Sequence, residues 1–377
     1  MATYLDFNAS SPIHPLVLDK MIDVYRNHYG NADSRTHTFG TDAKEIVASS
    51  RATIANILKI DSTDLLFTSG STESNNMAIL GLRDYAEKTG RKHFITTAIE
   101  HKSVLMAMKR LEEHGFHIDY ISPDQSGRIR AKQVLDLVTE ETLLVSIMHV
   151  NSETGIIQPI QEIGEALSGT KTYFHVDATQ GFGKLNDDLR ATKYDMLSMT
   201  AHKLGGPQGV GGFVFKRDRS YKRPPITPLM CGGQQERGFR PGTTPVALVA
   251  GFAKAAELCE ENMKEHAEKN RAIKEKLIQT LEGINYKFNG DQQYCIPSTA
   301  NISFQNVDAE ALFLAMKSDY AFSNGSACNS GSHEPSYVLR AMGFEDKRIY
   351  EAIRISWDPE TKVDFTELAT YVKSMQC

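Results

Sequence analysis

The chain has 377 residues, 41% of them hydrophobic, with 42 Lys and Arg against 47 Asp and Glu for a formal charge of −5. That is enough chain for about two domains and a large core. The acidic balance argues against direct nucleic-acid binding, and no apolar run approaches the roughly 18 residues of a membrane span.

The opening MATYLDFNAS has no basic stretch followed by an apolar one, so no secretory signal is expected. DLLFTSG (64–70) reads as a strand entering a glycine turn, and 72–88 as the helix after it. HFITTAIEH (93–101) reads as a strand, followed by a helix that stops at Gly115. TLLVSIMHVN (142–151) is apolar throughout, as a strand covered on both faces should be. TYFHVDATQ (172–180) and YDMLSMTAHK (194–203) repeat the pattern. This alternation predicts an α/β fold with a mostly parallel sheet between helices. KRDRSYKRPP (216–225) reads either as a solvated loop or as a docking surface for an acidic partner. From about residue 246 the texture changes to one long helical stretch, open to a bend or break, that stops at Gly283. Shorter strands and helices follow, as in a smaller α+β domain, against which the N-terminal TYLDFNAS packs unless it covers the site.

Five widely spaced cysteines without a CxxC fit neither a disulfide framework nor a zinc site and suit a reducing cytoplasm. Cys328 stands apart, in SNGSACNSGSHEP (323–335), among glycine, serine and asparagine.

In open α/β sheets ligands bind beyond the carboxyl ends of the strands. Ser71 and Thr72 follow the first strand at a helix start and read as an anion site or an ordinary N-cap. His101, Asn151, Asp177 and Gln180 follow the next strands; then come Thr200, His202 and Lys203 before a glycine-rich turn. Lys203 ends an apolar strand, where an ammonium is costly unless it snorkels to solvent. A lysine for imine formation, a carboxylate for a pyridinium nitrogen and a phosphate cradle are what pyridoxal phosphate requires.

On TSGSTESNN, EHKSVL, SIMHVNSETG, HVDATQ, AHKLGGPQGVG, GGQQERGFRPGTTPV and SNGSACNSGSHEPSYVLRAMG, in that order, the chain resembles the NifS/IscS-like cysteine desulfurases of the class V aminotransferase family, fold-type I pyridoxal phosphate enzymes. The resemblance implies a large cofactor-binding domain over 14–258 with a seven-stranded sheet. It implies a small domain from 1–13 and 259–377 that carries a mobile catalytic cysteine loop at 323–335. Ser71, Thr72, Thr200 and His202 would cradle the phosphate, with Thr243 reaching the phosphate of a partner subunit in a homodimer. Asp177 would pair with the ring nitrogen, Gln180 with the ring oxygen, and Asn151 with the ring hydroxyl side or the substrate carboxylate. His101 would stack on the ring and shuttle protons, and Lys203 would hold the aldehyde. Arg354, in AIRIS, would clamp the carboxylate of L-cysteine, a surface salt bridge being its plainer reading.

Cys328 would take the sulfur as a persulfide, leaving L-alanine, and pass it to an acceptor protein in iron–sulfur assembly, tRNA thiolation or DNA phosphorothioation. His101 or His333 would assist its ionisation, with a solvated loop histidine the plainer reading of His333. No resident metal is implied, though Cys328 would be able to ligate an iron–sulfur cluster transiently. A selenocysteine lyase or another class V lyase is the alternative, against which the SNGSACNSG block argues. Three departures bear on partner choice: Asn324 and Asn329 replace the usual serine and threonine, KLGGPQG replaces KIYGPKG, and the sequence ends soon after Trp357 where the housekeeping enzymes carry a longer tail.

Overall fold

A computed structural model describes residues 2–218, 220–323 and 335–376. After a short opening strand, β1 (Thr3–Tyr4), seven strands follow in the first two-thirds of the chain. They are β2 (Leu65–Thr68), β3 (His93–Thr97), β4 (His117–Ile121), β5 (Thr142–Met148), β6 (Tyr173–Asp177), β7 (Met196–Thr200) and β8 (Gly211–Phe215). They form one sheet in the order β2-β8-β7-β6-β5-β3-β4. β4, β3, β5, β6 and β7 pair in parallel, and β8 runs antiparallel to both its neighbours. All seven residues of β5 are buried, because both faces of the sheet are covered. Successive side chains point to opposite faces. Leu197 therefore joins a core with Ile95, Val145, Val176 and Phe252, while Met196 joins the opposite one with Phe94, Leu144 and Val104.

The helix Val246–Thr280 runs unbroken for 35 residues. Its first half packs Val249, Phe252 and Ala256 into the large core. Leu277, near its end, packs with Trp357 and Phe365 into a second core. The domain boundary expected at 258/259 thus falls inside a helix shared by both cores. Gly283, at φ +78°, lies just beyond it in the left-handed region that favours glycine.

The second core covers a three-stranded antiparallel sheet of β9 (Tyr286–Phe288), β10 (Thr299–Phe304) and, after the short β11 (Tyr320–Ala321), β12 (Ala352–Ser356), in the order β12-β10-β9. β1 pairs in parallel with β11, and Leu5 is buried in this core. Part of the basic run is engaged within the chain. Arg217 pairs with Asp61 and Asp64, Arg223 with Asp64, and Lys216 lies over the Tyr194 ring. Among the described residues no helix is long and apolar enough to cross a membrane.

Candidate active site

A cavity of about 410 Å³ opens at the carboxyl ends of the parallel strands. Its wall includes Ser71 and Thr72 beyond β2, His101 beyond β3, and Ser152 and Glu153 beyond β5. Asp177, Thr179 and Gln180 line it at the end of β6, and His202 and Lys203 beyond β7. The smaller unit closes it with Tyr337 and Arg354, and the N-terminal segment with Asn8 and Ala9. Seven residues expected from the sequence thus share one cavity with Arg354: Ser71, Thr72, His101, Asp177, Gln180, His202 and Lys203. Cys328 and His333 lie outside the described residues.

At the β2 corner, Gly70 has φ +153°, a conformation that side-chain-bearing residues rarely adopt. It caps the helix Ser71–Leu80 with no side-chain hydrogen bond, so the first-turn N–H groups and the positive end of the helix face the cavity. Gly70, and not Ser71 or Thr72, thus occupies the N-cap position.

Asp177 is 4% exposed. Its Oδ1 accepts from the Thr179 N–H at 3.0 Å and from Thr179 Oγ1, and its Oδ2 accepts from Asn75 Nδ2 at 2.8 Å. The same Asn75 amide donates to Ser103 Oγ at 2.9 Å, and that hydroxyl lies 2.8 Å from His101 Nδ1. One buried chain therefore joins the aspartate to the histidine. His101 Nδ1 also accepts from the Ser103 N–H at 3.1 Å, so the proton of the neutral ring sits on Nε2.

Lys203 Nζ donates to the carbonyls of Asn8 and Ala9 at 2.5 and 2.6 Å. Gln180 donates to the Asn8 carbonyl at 2.9 Å and accepts from Lys184 at 3.1 Å. Burial and the neighbouring Lys203 charge push His202 down to about 4, so its ring is neutral at physiological pH.

Arg354 is only 3% exposed, so the ion pair that it forms with Asp6 is a largely buried one rather than a surface one. Its Nη2 donates to Asp6 at 2.6 Å and Nη1 to the Ser152 carbonyl at 3.1 Å, while buried Nε has no hydrogen-bond partner among the described residues. The N-terminal segment both packs on the smaller unit, through Leu5 and Asp6, and covers the cavity, through Asn8.

Three expected residues do not line this cavity. Asn151 is buried behind it. Its Oδ1 accepts from the Glu153 and Thr154 N–H groups and from Thr154 Oγ1, and its Nδ2 donates to the Ile99 carbonyl, so it shapes the 151–154 turn. Thr200 is also buried, its hydroxyl donating to the Val210 carbonyl at 3.3 Å. Thr243 is exposed, away from the cavity of its own chain.

Several residues were not singled out from the sequence, though each sits in or beside a quoted block: Asn75 in TSGSTESNN, Glu100 in EHKSVL, Glu153 in SIMHVNSETG and Tyr337 in SYVLRAMG. Glu153 is fully enclosed and lines the cavity. Burial pushes it up to about 7, against the pull of the Ser336 hydrogen bond and the Arg354 charge. Glu100 is pushed further, to about 8, by burial and the Asp177 charge, against its bonds from Met148 N–H and Thr97.

The model for the family "Aminotransferase class-V" matches residues 3–364, and the chain belongs to that family. Cysteine desulfurase IscS of Escherichia coli is 40% identical over 369 residues, covering 96% of this chain and 90% of that protein. Among solved structures, DndA of Streptomyces lividans matches with a TM-score of 0.83 at 42% identity, over 94% of this chain and 99% of its own. SspA in complex with cysteine matches with a TM-score of 0.84 at 34% identity, over 96% of this chain and 100% of its own. Within the family this chain stands with the IscS/NifS-like cysteine desulfurases, whose mostly parallel sheet and helices it shares. The group works with pyridoxal phosphate. The uncapped helix start, the cavity-lining Asp177 carboxylate and the Lys203 amine suit its phosphate, ring nitrogen and aldehyde.

Proposed function

We propose that the protein takes sulfur from L-cysteine, with pyridoxal phosphate bound in this cavity, and carries it as a persulfide on Cys328 to an acceptor protein. What carries this reading is that the described residues flanking positions 324–334 are tied to residues of the cavity wall. Ser323, just before the segment, forms a β-bridge with Arg354. Just after it, Ser336 Oγ donates to Glu153 at 2.5 Å and Tyr337 donates to the Glu100 carbonyl at 2.7 Å. A thiol that collects sulfur inside and delivers it outside needs such anchors.

Ser71 and Thr72 would hold the phosphate, with His202 and Thr200 behind them; Asp177 would pair with the ring nitrogen, Gln180 with the ring oxygen, and His101 would serve the ring face. Thr243 serves the site of a partner subunit. The bound cofactor supplies an electron sink, which makes the substrate Cα–H acidic and the C–S bond labile. Arg354 orients the substrate carboxylate, Lys203 Nζ moves the Cα proton, and His101 Nε2 holds or returns one. The Cys328 thiolate forms a bond to the substrate sulfur as the substrate C–S bond breaks, and the three-carbon unit keeps that electron pair and is protonated. Cysteine and enzyme thiol thus become alanine and enzyme persulfide, with no outside oxidant.

A homodimer is supported by exposed apolar side chains. Leu16, Tyr25, Tyr29 and Phe39 are 52, 61, 70 and 46% exposed, and the exposed Leu229 and Met230 lie in the segment leading toward Thr243. The cytoplasm is the proposed compartment, supported by free Cys231, Cys259 and Cys295.

The test is Cys328→Ala holoprotein given sulfur-labelled L-cysteine. It is expected to keep its cofactor absorbance and to bind cysteine, yet hold no label that a thiol reductant releases. Reductant-releasable label at the wild-type level in this variant would refute the role of Cys328.

A further inference from the structure

A second cluster of reactive side chains lies at the opposite end of β3 from His101. β3 and β4 pair in parallel with His93 directly opposite His117. Asp119 lies two residues further along β4, on the same face as His117, because side chains alternate along a strand. The register therefore brings two imidazoles and a carboxylate together at the amino end of the outer strand pair. His93 Nε2 lies 3.0 Å from one Asp119 oxygen, and His117 Nε2 lies 3.7 Å from the other. One donor atom from each of the three can be chosen so that all lie within 4.8 Å of one another.

We propose that His93, His117 and Asp119 form a binding site for a divalent transition-metal ion of the zinc type, separate from the cofactor cavity. Zinc takes imidazole nitrogen and carboxylate oxygen at about 2.0–2.2 Å in a tetrahedron, which sets its ligands about 3.4 Å apart. The two observed separations, each to a different Asp119 oxygen, lie on either side of that value, and with one donor atom per residue the set spans up to 4.8 Å, so side-chain shifts of about 1 Å would draw the three onto one ion. Two imidazoles favour zinc, cobalt, nickel or copper over magnesium and calcium, which prefer oxygen-only sites.

The surroundings are those of a supported ligand set. The His93 side chain is 7% exposed. Its Nδ1 lies 2.8 Å from Thr142 Oγ1, which can accept the Nδ1 proton once an ion takes the place of the hydrogen bond that Nε2 now donates to Asp119 at 3.0 Å. A metal-binding histidine is usually oriented by such a bond from its other nitrogen. The Thr139 N–H also donates to this hydroxyl at 2.8 Å, so the hydroxyl is itself held in place. His117, by contrast, is 71% exposed, leaving room for water as a fourth ligand. An ion here would clip the edge strand β4 to β3. It has no part in the sulfur chemistry at the other end of the sheet.

The test is zinc titration of the metal-stripped holoenzyme against a chromophoric chelator, with His117→Ala and Asp119→Asn alongside. His117 is exposed, so its removal should leave the fold and cysteine turnover intact, which alanine release checks. The wild type is expected to bind one zinc per chain that both variants lose, with affinity falling by more than the ~10–100-fold typical of losing an outer-shell partner. Zinc is also expected to raise the melting temperature of the wild type but not of His117→Ala. Zinc held by cysteines would persist in both variants. Equal binding by all three proteins, or no zinc in the wild type, would overturn the site.

Discussion

Asn75 Nδ2 donates to Asp177 Oδ2 at 2.8 Å, inside the protein and at the end of the strand that carries the aspartate. The same amide reaches Ser103, and through it His101. A hydrogen bond to a buried charge contributes about 1.5–3 kcal/mol. Asn75→Ala should therefore weaken cofactor retention about 10–100-fold, read as the concentration that half-restores the visible absorbance of stripped protein. It should also lower turnover, because Asp177 and His101 lose their common brace. Unchanged retention would mean that the chain is incidental to the site.

Lys203→Ala should lose turnover by about 10²–10⁴-fold, the usual contribution of a positioned proton-transfer group. Borohydride should fix the cofactor to the wild-type protein and not to the variant. Peptide mapping of the reduced protein checks the position directly.

Arg354→Lys keeps the charge but loses the planar fork. Its KM for L-cysteine should rise about tenfold or more, with a smaller change in kcat. Arg354→Ala should in addition lower the melting temperature, because it strips Asp6 and the Ser152 carbonyl of their donor. Equal KM values for wild type and Arg354→Lys would remove Arg354 from the carboxylate site.

Glu100 predicts a pH dependence of stability. Its ordinary value is 4.5 and the fold raises it to about 8. Between these values the unfolded chain releases a proton that the folded chain keeps. The folded state then binds more protons, and stability falls as pH rises. The contribution is full below about pH 4.5 and lost through pH 8. Glu100→Gln keeps the acceptor for Met148 N–H and Thr97, so its melting temperature should vary less across pH 5–8 and exceed the wild type's at the alkaline end. Parallel curves for the two proteins would show that Glu100 does not titrate there.

Glu153 should appear in the kinetics. It lines the cavity and is raised to about 7. The kcat/KM profile should carry an inflection near pH 7 that Glu153→Gln abolishes. The variant keeps an acceptor for Ser336, so that tie to the cavity wall should survive and the change should be one of pH profile.

Much of the site was legible because its residues follow strands, and strands announce themselves by apolar runs. DLLFT, HFITT, TLLVSIM, YFHVD and MLSMT each end where a cavity residue begins or shortly before one. The unbroken helix Val246–Thr280 was less legible. Its pattern changes where it passes from one core to the other, which in sequence looks like a possible end. Asn151 and Thr200 show a different limit. A polar residue after a strand serves equally to line a cavity or to satisfy a turn behind it, and only hydrogen-bond partners separate the two.

By itself the sequence determined the parallel sheet, the alternation of helices, and which side chains stand at the carboxyl ends of the strands, because hydrophobic period and strand polarity are local properties. Tertiary structure decided which of those side chains meet. It brought Asn8 and Asp6 from the N-terminus onto Lys203 and Arg354, set Asn75 against Asp177, and used Asn151 for a turn. It also laid His93 beside His117, a pairing that depends on strand register. Such contacts join residues far apart in the chain, so their geometry is fixed only when the sheet and the two cores close together.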